Sequence, residues 1–193
     1  MTQRHSRDIR YSSIGSKKKV LVEQIKLIVV LSLTGCALIA LETTLFSRIP
    51  MPVFGWSSAS PALGLLFSMA VGFLHGEEEG GITGLLCGWL SDATGVENGM
   101  MLLPLLYLIC GYMSGTVGKR RLAHNLPSFV IFSVVGGGLA CLFSVLQAVI
   151  RVRYFPPVQW IWRGLVPAWV LTVLFSVAVY GIVRGEKKLL EPK

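Results

Sequence analysis

The sequence predicts an all-α fold: a polytopic membrane helix bundle of about six helices, two of them short and confined to residues 61–90. Three observations predict it. Hydrophobic residues make up 53% of the chain and charged residues only 15%, whereas a soluble domain carries about a quarter charged residues. The charges gather in the tails and short connections, with long apolar runs between them. The Lys and Arg residues are also distributed unevenly about those runs, as the positive-inside rule requires of a membrane protein. The length suits one domain. The expected division is a basic cytoplasmic tail over 1–24, a transmembrane domain over 25–185 and a second cytoplasmic tail over 186–193.

The elements follow in chain order. Residues 1–23 are polar and basic, with Arg4, Arg7, Arg10 and Lys17 to Lys19, a composition suited to anionic headgroups. The first apolar run, 25–46, starts too late and runs too long for a cleavable signal, so it reads as a retained span. Residues 47–60 hold Pro50, Pro52, Gly55 and Trp56, breakers plus an interfacial aromatic, and read as an outer loop. Residues 61–75 and 81–90 are each short of the ~20 residues of a full crossing. They read as two short helices joined by an acidic turn at Glu77, Glu78 and Glu79, either crossing a thinned region or forming a re-entrant hairpin. After a polar loop at 91–99, further spans are expected at 100–117, 128–150 and 161–183. With the first span they make four full crossings.

Six segments with the N-terminus inside place fourteen of the eighteen Lys and Arg residues in the cytoplasm, leaving Arg48, Arg151, Arg153 and Arg163 outside. That asymmetry predicts both termini inside. It also explains the net charge of +8 as membrane anchoring and argues against nucleic-acid binding. Trp56, Tyr154, Phe155, Trp160 and Trp162 are placed to form an outer aromatic belt. The four cysteines each sit inside an apolar segment with no CxxC spacing, so they read as packing residues without disulfide or metal.

The clearest pattern is a glycine stripe. Gly72, Gly76, Gly80, Gly84 and Gly88 recur every fourth residue, and Asp92 continues the register. On one helix Gly80, Gly84, Gly88 and Asp92 share a face. Lipid supplies no hydrophobic drive between helices, so close association needs small residues. The following span carries Tyr107, Gly111 and Gly115 at the same spacing. These residues are expected to pack helix on helix, or to dock a partner's helix. Asp92, near a helix C-terminus where the macrodipole disfavours a negative charge, needs a partner or caps the next segment. Glu42 is an intramembrane carboxylate, a costly group that is usually paired. Its candidate partners are Arg151, Arg163 and Gln147. Three consecutive glutamates do not share a helix face, so Glu77 to Glu79 read as a solvated turn. His75 and His124 lie at predicted cytoplasmic edges and are assigned no chemistry. There is no G-x-S-x-G, H-E-x-x-H, P-loop or dinucleotide fingerprint, so the expectation is a non-enzyme without cofactors.

Several of these stretches resemble the rod shape-determining protein MreD family. They are Ser60-Pro61-Ala62-Leu63-Gly64-Leu65-Leu66, the segment Gly80-Gly81-Ile82-Thr83-Gly84-Leu85-Leu86-Cys87-Gly88-Trp89-Leu90-Ser91-Asp92, and then Gly95, Gly99, Tyr107 and Gly111. The end of the first span, Leu41-Glu42-Thr43-Thr44-Leu45-Phe46, is similar to that family's L-Q-S-T-L-F-like stretch, with Glu42 where many members have Gln. Trp162, Pro167 and Trp169 fit the last span. The likeness covers roughly residues 25–185 and is specific mainly in the centre. It implies a scaffold subunit of the bacterial cell-elongation machinery in the cytoplasmic membrane. Such a subunit binds MreC, and through it is connected to MreB, RodA and a class B penicillin-binding protein in lateral peptidoglycan synthesis. It also implies a fold similar to the S components of energy-coupling-factor transporters. A vitamin-binding S component is therefore the competing expectation, with Trp56, Asp92, Glu42 and Trp89 as its candidate pocket. A second copy of the chain is a further candidate partner, alongside membrane lipids.

Overall fold

The computed structural model describes residues 26–46, 61–94, 102–119, 125–152 and 161–190, and these are helical throughout apart from short connections. Six helices result. α1 covers residues 26–46, its last turn, Glu42–Phe46, widened to a π-helix. α2 is Leu63–His75, α3 Glu77–Thr94, α4 Leu102–Lys119 and α5 Leu126–Val152. α6 is Val166–Leu190, entered through a π-turn at Ile161–Leu165.

Among the described residues three segments are long and apolar enough to cross a membrane: Lys26–Thr44, Leu126–Gln147 and Ile161–Lys188. α4 spans 18 residues, and the start of the crossing expected at 100–117 lies outside the described residues. The three long helices keep most of their surface outward, and exposed Leu, Ile and Val residues cover it. A helix of this kind is at home in lipid. The chain is an integral membrane protein.

α2 is the axis of the bundle. Every residue from Leu63 to Leu74 is buried, the signature of a helix apolar all round and enclosed on every side. α1, α3, α4, α5 and α6 surround it. Its 13 residues span only about 20 Å. A helix that short cannot cross a ~30 Å hydrocarbon core, but its neighbours shield it from lipid.

The acidic turn expected between the short helices is also corrected. Glu77, Glu78 and Glu79 form the first helical turn of α3, which runs 18 residues to Thr94 rather than beginning at 81. Carboxylates at a helix N-terminus are favoured by the macrodipole, so the acidic triplet starts a helix where it would end one elsewhere. Gly76 alone separates α2 from α3. Its φ of 147° lies where side chains are strained, which lets the chain reverse in a single residue. α6 continues past its expected end at 183, so Glu186 and Lys187, assigned to a tail, are helical. The Lys187 ammonium donates to the Leu74 carbonyl at 2.7 Å, satisfying an orphan acceptor at the C-terminus of α2. Thr34 of α1 donates to the Glu186 carboxylate. At that same end Phe73, Phe129 and Tyr180 form an aromatic cluster with centroids 5.2–6.4 Å apart.

Candidate functional site

Two features stand out: a seam of glycines joining α2, α3 and α4, and a pocket beyond the N-terminus of α2.

The seam begins with the residue types on α3. Its buried residues are Gly80, Gly81, Gly84, Cys87 and Gly88, while Ile82, Leu85, Leu86 and Trp89 are exposed. Small residues face in and large ones face out, the reverse of a soluble amphipathic helix and the arrangement that membrane packing calls for. α4 matches it antiparallel. Gly88 lies on Pro104, where an added Cβ would sit 2.9 Å from the Leu103 carbonyl. A Cβ on Gly84 would fall 2.6 Å from the Tyr107 carbonyl carbon, and one on Gly80 2.6 Å from the Gly111 oxygen. A Cβ on Gly115 would meet the Gly76 carbonyl carbon at 2.7 Å. These atoms are backbone and cannot move aside. At the centre Gly72 of α2 touches both Gly80 and Gly111, so three backbones meet at one point. Ser114 adds a cross-helix bond, donating to the Met69 carbonyl at 2.6 Å.

The structure thus gathers Gly80, Gly84, Gly88, Gly111, Gly115 and Tyr107 into one interface. α4 and α2 occupy the glycine face fully, so the surface α3 offers outward is the opposite one, around Ile82, Leu86 and Trp89. Asp92 sits in the last turn of α3, half-buried, with Oδ1 enclosed and without a hydrogen-bond partner among the described residues.

Glu42 has a different partner from the one expected. Arg163 is exposed, Arg151 ends α5 with a side chain outside the described residues, and the only ion pair among the described residues is Lys119–Glu77 at 2.7 Å. Instead Glu42 Oε2 accepts the Gly64 N–H at 3.2 Å, and the Leu63 amide also faces the carboxylate. The N-cap position of α2 is Ala62, which has no side chain to cap with, and the Ala62 N–H donates to Thr172 Oγ1 of α6 at 3.1 Å. The start of α2 is therefore capped from outside, by a carboxylate from α1 and a hydroxyl from α6. Open helix amides attract a carboxylate as a cation would.

Beyond this cap lies a pocket of about 360 Å³. It exists because α2 is short. α5 and α6 run on past its first residue, and the other five helices make the walls with Ala62, the N-cap of α2, at the floor. Gly137, Ala140, Cys141 and Ser144 line it from α5, and Leu165, Ala168, Trp169 and Thr172 from α6. Both sets step i, i+3, i+4, i+7, so each is one helix face. That spacing of small residues was the available signal for the pocket. Of the residues named for a binding pocket, Glu42 lines it. Trp89 is 61% exposed on the outer surface of α3, and Trp56 lies outside the described residues, as do Arg48, Arg153, Tyr154, Phe155, Trp160 and His124. Trp162 is exposed.

The chain matches no family model, no curated protein and no solved structure.

Proposed function

We propose that this chain is a non-enzymatic scaffold subunit of a bacterial cell-elongation complex, resident in the cytoplasmic membrane with both termini inside and docking MreC. The observation that carries the reading is the seam of α2, α3 and α4. Backbone contact at Gly80, Gly84 and Gly88 locks two helices that are not themselves long apolar spans. Their large apolar residues, Ile82, Leu86, Trp89, Leu105, Ile109 and Met113, are left facing outward. A rigid, ridged apolar face suits a partner's single transmembrane helix, which associates through van der Waals fit rather than chemistry. The likeness of residues 60–92 to MreD points to MreC as that partner. MreB, RodA and a class B penicillin-binding protein follow as indirect partners. The basic residues at the Lys187 end of the bundle support a cytoplasmic location for that end.

Co-expression tests the proposal. With MreC the chain should form a complex that survives gel filtration in detergent. Ile82→Ala with Leu86→Ala should weaken recovery of MreC without changing thermal stability. Co-purification with an ATPase module, and not with MreC, would overturn the scaffold reading in favour of a transporter S component. The pocket favours that second reading, since concave, mostly apolar sites of 300–1,000 Å³ with a few converging polar groups are the usual form of small-molecule sites.

A further inference from the structure

We infer that the pocket beyond α2 is a binding site for a small ligand carrying a protonated amine on an apolar body. The first ground is charge. Among the described lining residues Glu42 is the one ionisable acid, and there is no Lys, Arg or His. A carboxylate inside a membrane bundle ordinarily has a cationic partner, and among the described residues this one meets only backbone amides, the nearer at 3.2 Å.

The second ground is the hydrogen-bond polarity of the wall. Four of the six lining hydroxyls spend their hydrogen on their own helix, Ser91 and Tyr107 being the other two. Thr94 donates to the Leu90 carbonyl at 2.8 Å, Ser144 to Ala140 at 2.9 Å, and Thr172 to Ala168 at 2.7 Å. Thr43 donates to Ile39 at 3.0 Å. The Trp169 indole N–H is committed to the Val134 carbonyl at 3.0 Å. The wall therefore presents mainly oxygen lone pairs, and the Ser91 and Tyr107 hydroxyls can accept as well as donate. An ammonium brings three donors and no acceptor, which complements this lining. A carboxylate or phosphate would find no countercharge among the described lining residues and would face Glu42.

The third ground is size and surface. Apart from those oxygens the walls are Leu103, Leu106, Leu165, Ala140, Ala168 and the Trp169 ring. At the ~30 Å³ that each molecule takes in liquid water, the volume holds roughly a dozen heavy atoms. That is an aromatic or short aliphatic amine, not a whole lipid.

The assignment rests on the pocket and not on any role in docking MreC. It deepens the small-molecule reading by naming a ligand class. The experiment uses the full chain alone in a neutral maltoside detergent, so its failure is separate from failure of MreC co-purification. Titration calorimetry compares 2-phenylethylammonium, 2-phenylethanol and 3-phenylpropionate. The ammonium should bind saturably, the alcohol at least about tenfold more weakly, and the carboxylate not at all. Glu42→Gln keeps an oxygen for the Gly64 N–H and should lower ammonium affinity to the alcohol's level. Ala140→Met, which fills the pocket, should abolish binding, and Glu79→Gln at the far end should leave it unchanged. Equal affinity for the alcohol and the ammonium, or a Glu42→Gln variant that binds as well as the parent, would overturn the assignment and leave an apolar space open to lipid. So would no binding of the ammonium. Should Glu42→Gln not fold, the comparison of the three probes on the parent chain decides alone.

Discussion

The α3–α4 and α5–α6 pairs are both antiparallel, both glycine-bearing, and built on different terms. In α3–α4 the seam glycines face backbone: Gly80 on Gly111, Gly84 on Tyr107, Gly88 on Pro104, while Gly81 beside them meets the Tyr112 side chain. In α5–α6 the glycines face side chains or nothing. A Cβ on Gly137 would meet Trp169 Cδ1 at 2.8 Å, one on Gly136 the Met69 sulfur of α2 at 2.6 Å, and one on Gly138 nothing within 4 Å. The difference teaches that a run of glycines in a membrane helix does not itself mark close approach. What matters is whether each glycine coincides with a partner backbone. Where it does, as in α3–α4, the pair closes without a gap. Where side chains intervene, as in α5–α6, the helices stand apart at one end and the pocket opens between them and α1.

The sharpest way to break the comparison is Gly80→Ala. A single methyl must enter where Gly72 and Gly111 backbones already stand, 2.6 Å from the Gly111 oxygen. Relief requires three helices to part, so the expected loss is about 3 kcal/mol or more, or failure to accumulate folded protein. Thermal unfolding in detergent measures it, and a midpoint within error of the parent would mean that the three backbones do not meet there.

Glu42→Leu comes next, because it acts on the end where the two halves meet. Removing the carboxylate leaves the Gly64 N–H enclosed without its acceptor, an omission that costs about 1–3 kcal/mol. Glu42→Gln should stay close to the parent in the same unfolding experiment. Equal losses in both variants would show that charge, not capping, is what α2 requires.

The bundle was legible in the sequence because apolar runs and breakers report on lipid directly. The seam was legible for a related reason: glycine every fourth residue has few uses other than close approach. What could not be read is which contacts those groups make. Glu42 is an acid, so it invites an arginine, but among the described residues it meets an amide pair at a helix start whose N-cap, Ala62, cannot cap itself. Nothing local to Glu42 reveals that Thr172, 110 residues beyond Ala62, completes the cap. The acidic triplet misled in a similar way. Glu77 to Glu79 read as solvent-exposed turn by polarity, while the helix dipole makes them a helix start. The pocket depends on the shortness of α2 relative to α5 and α6, a relation among three elements that no one segment displays.

The α5 side of the comparison supplies the smaller effects. Gly137→Ala pushes on the Trp169 indole, which can rotate but is held by its bond to the Val134 carbonyl at 3.0 Å. The expected cost is about 1 kcal/mol, well below that of Gly80→Ala, although the methyl added is the same. Gly138→Ala should reverse the sign. Gly138 faces open space, so an added methyl displaces nothing, and its effect is confined to the backbone. A helix-interior glycine costs roughly 0.5–1 kcal/mol relative to alanine through lost conformational freedom. The variant should therefore melt slightly higher than the parent, with amine binding and MreC recovery unchanged. A loss at Gly138 comparable to that at Gly137 would mean that a second body rests against this face of α5 in the membrane, and the distinction between the two helix pairs would then be one of partner rather than of packing.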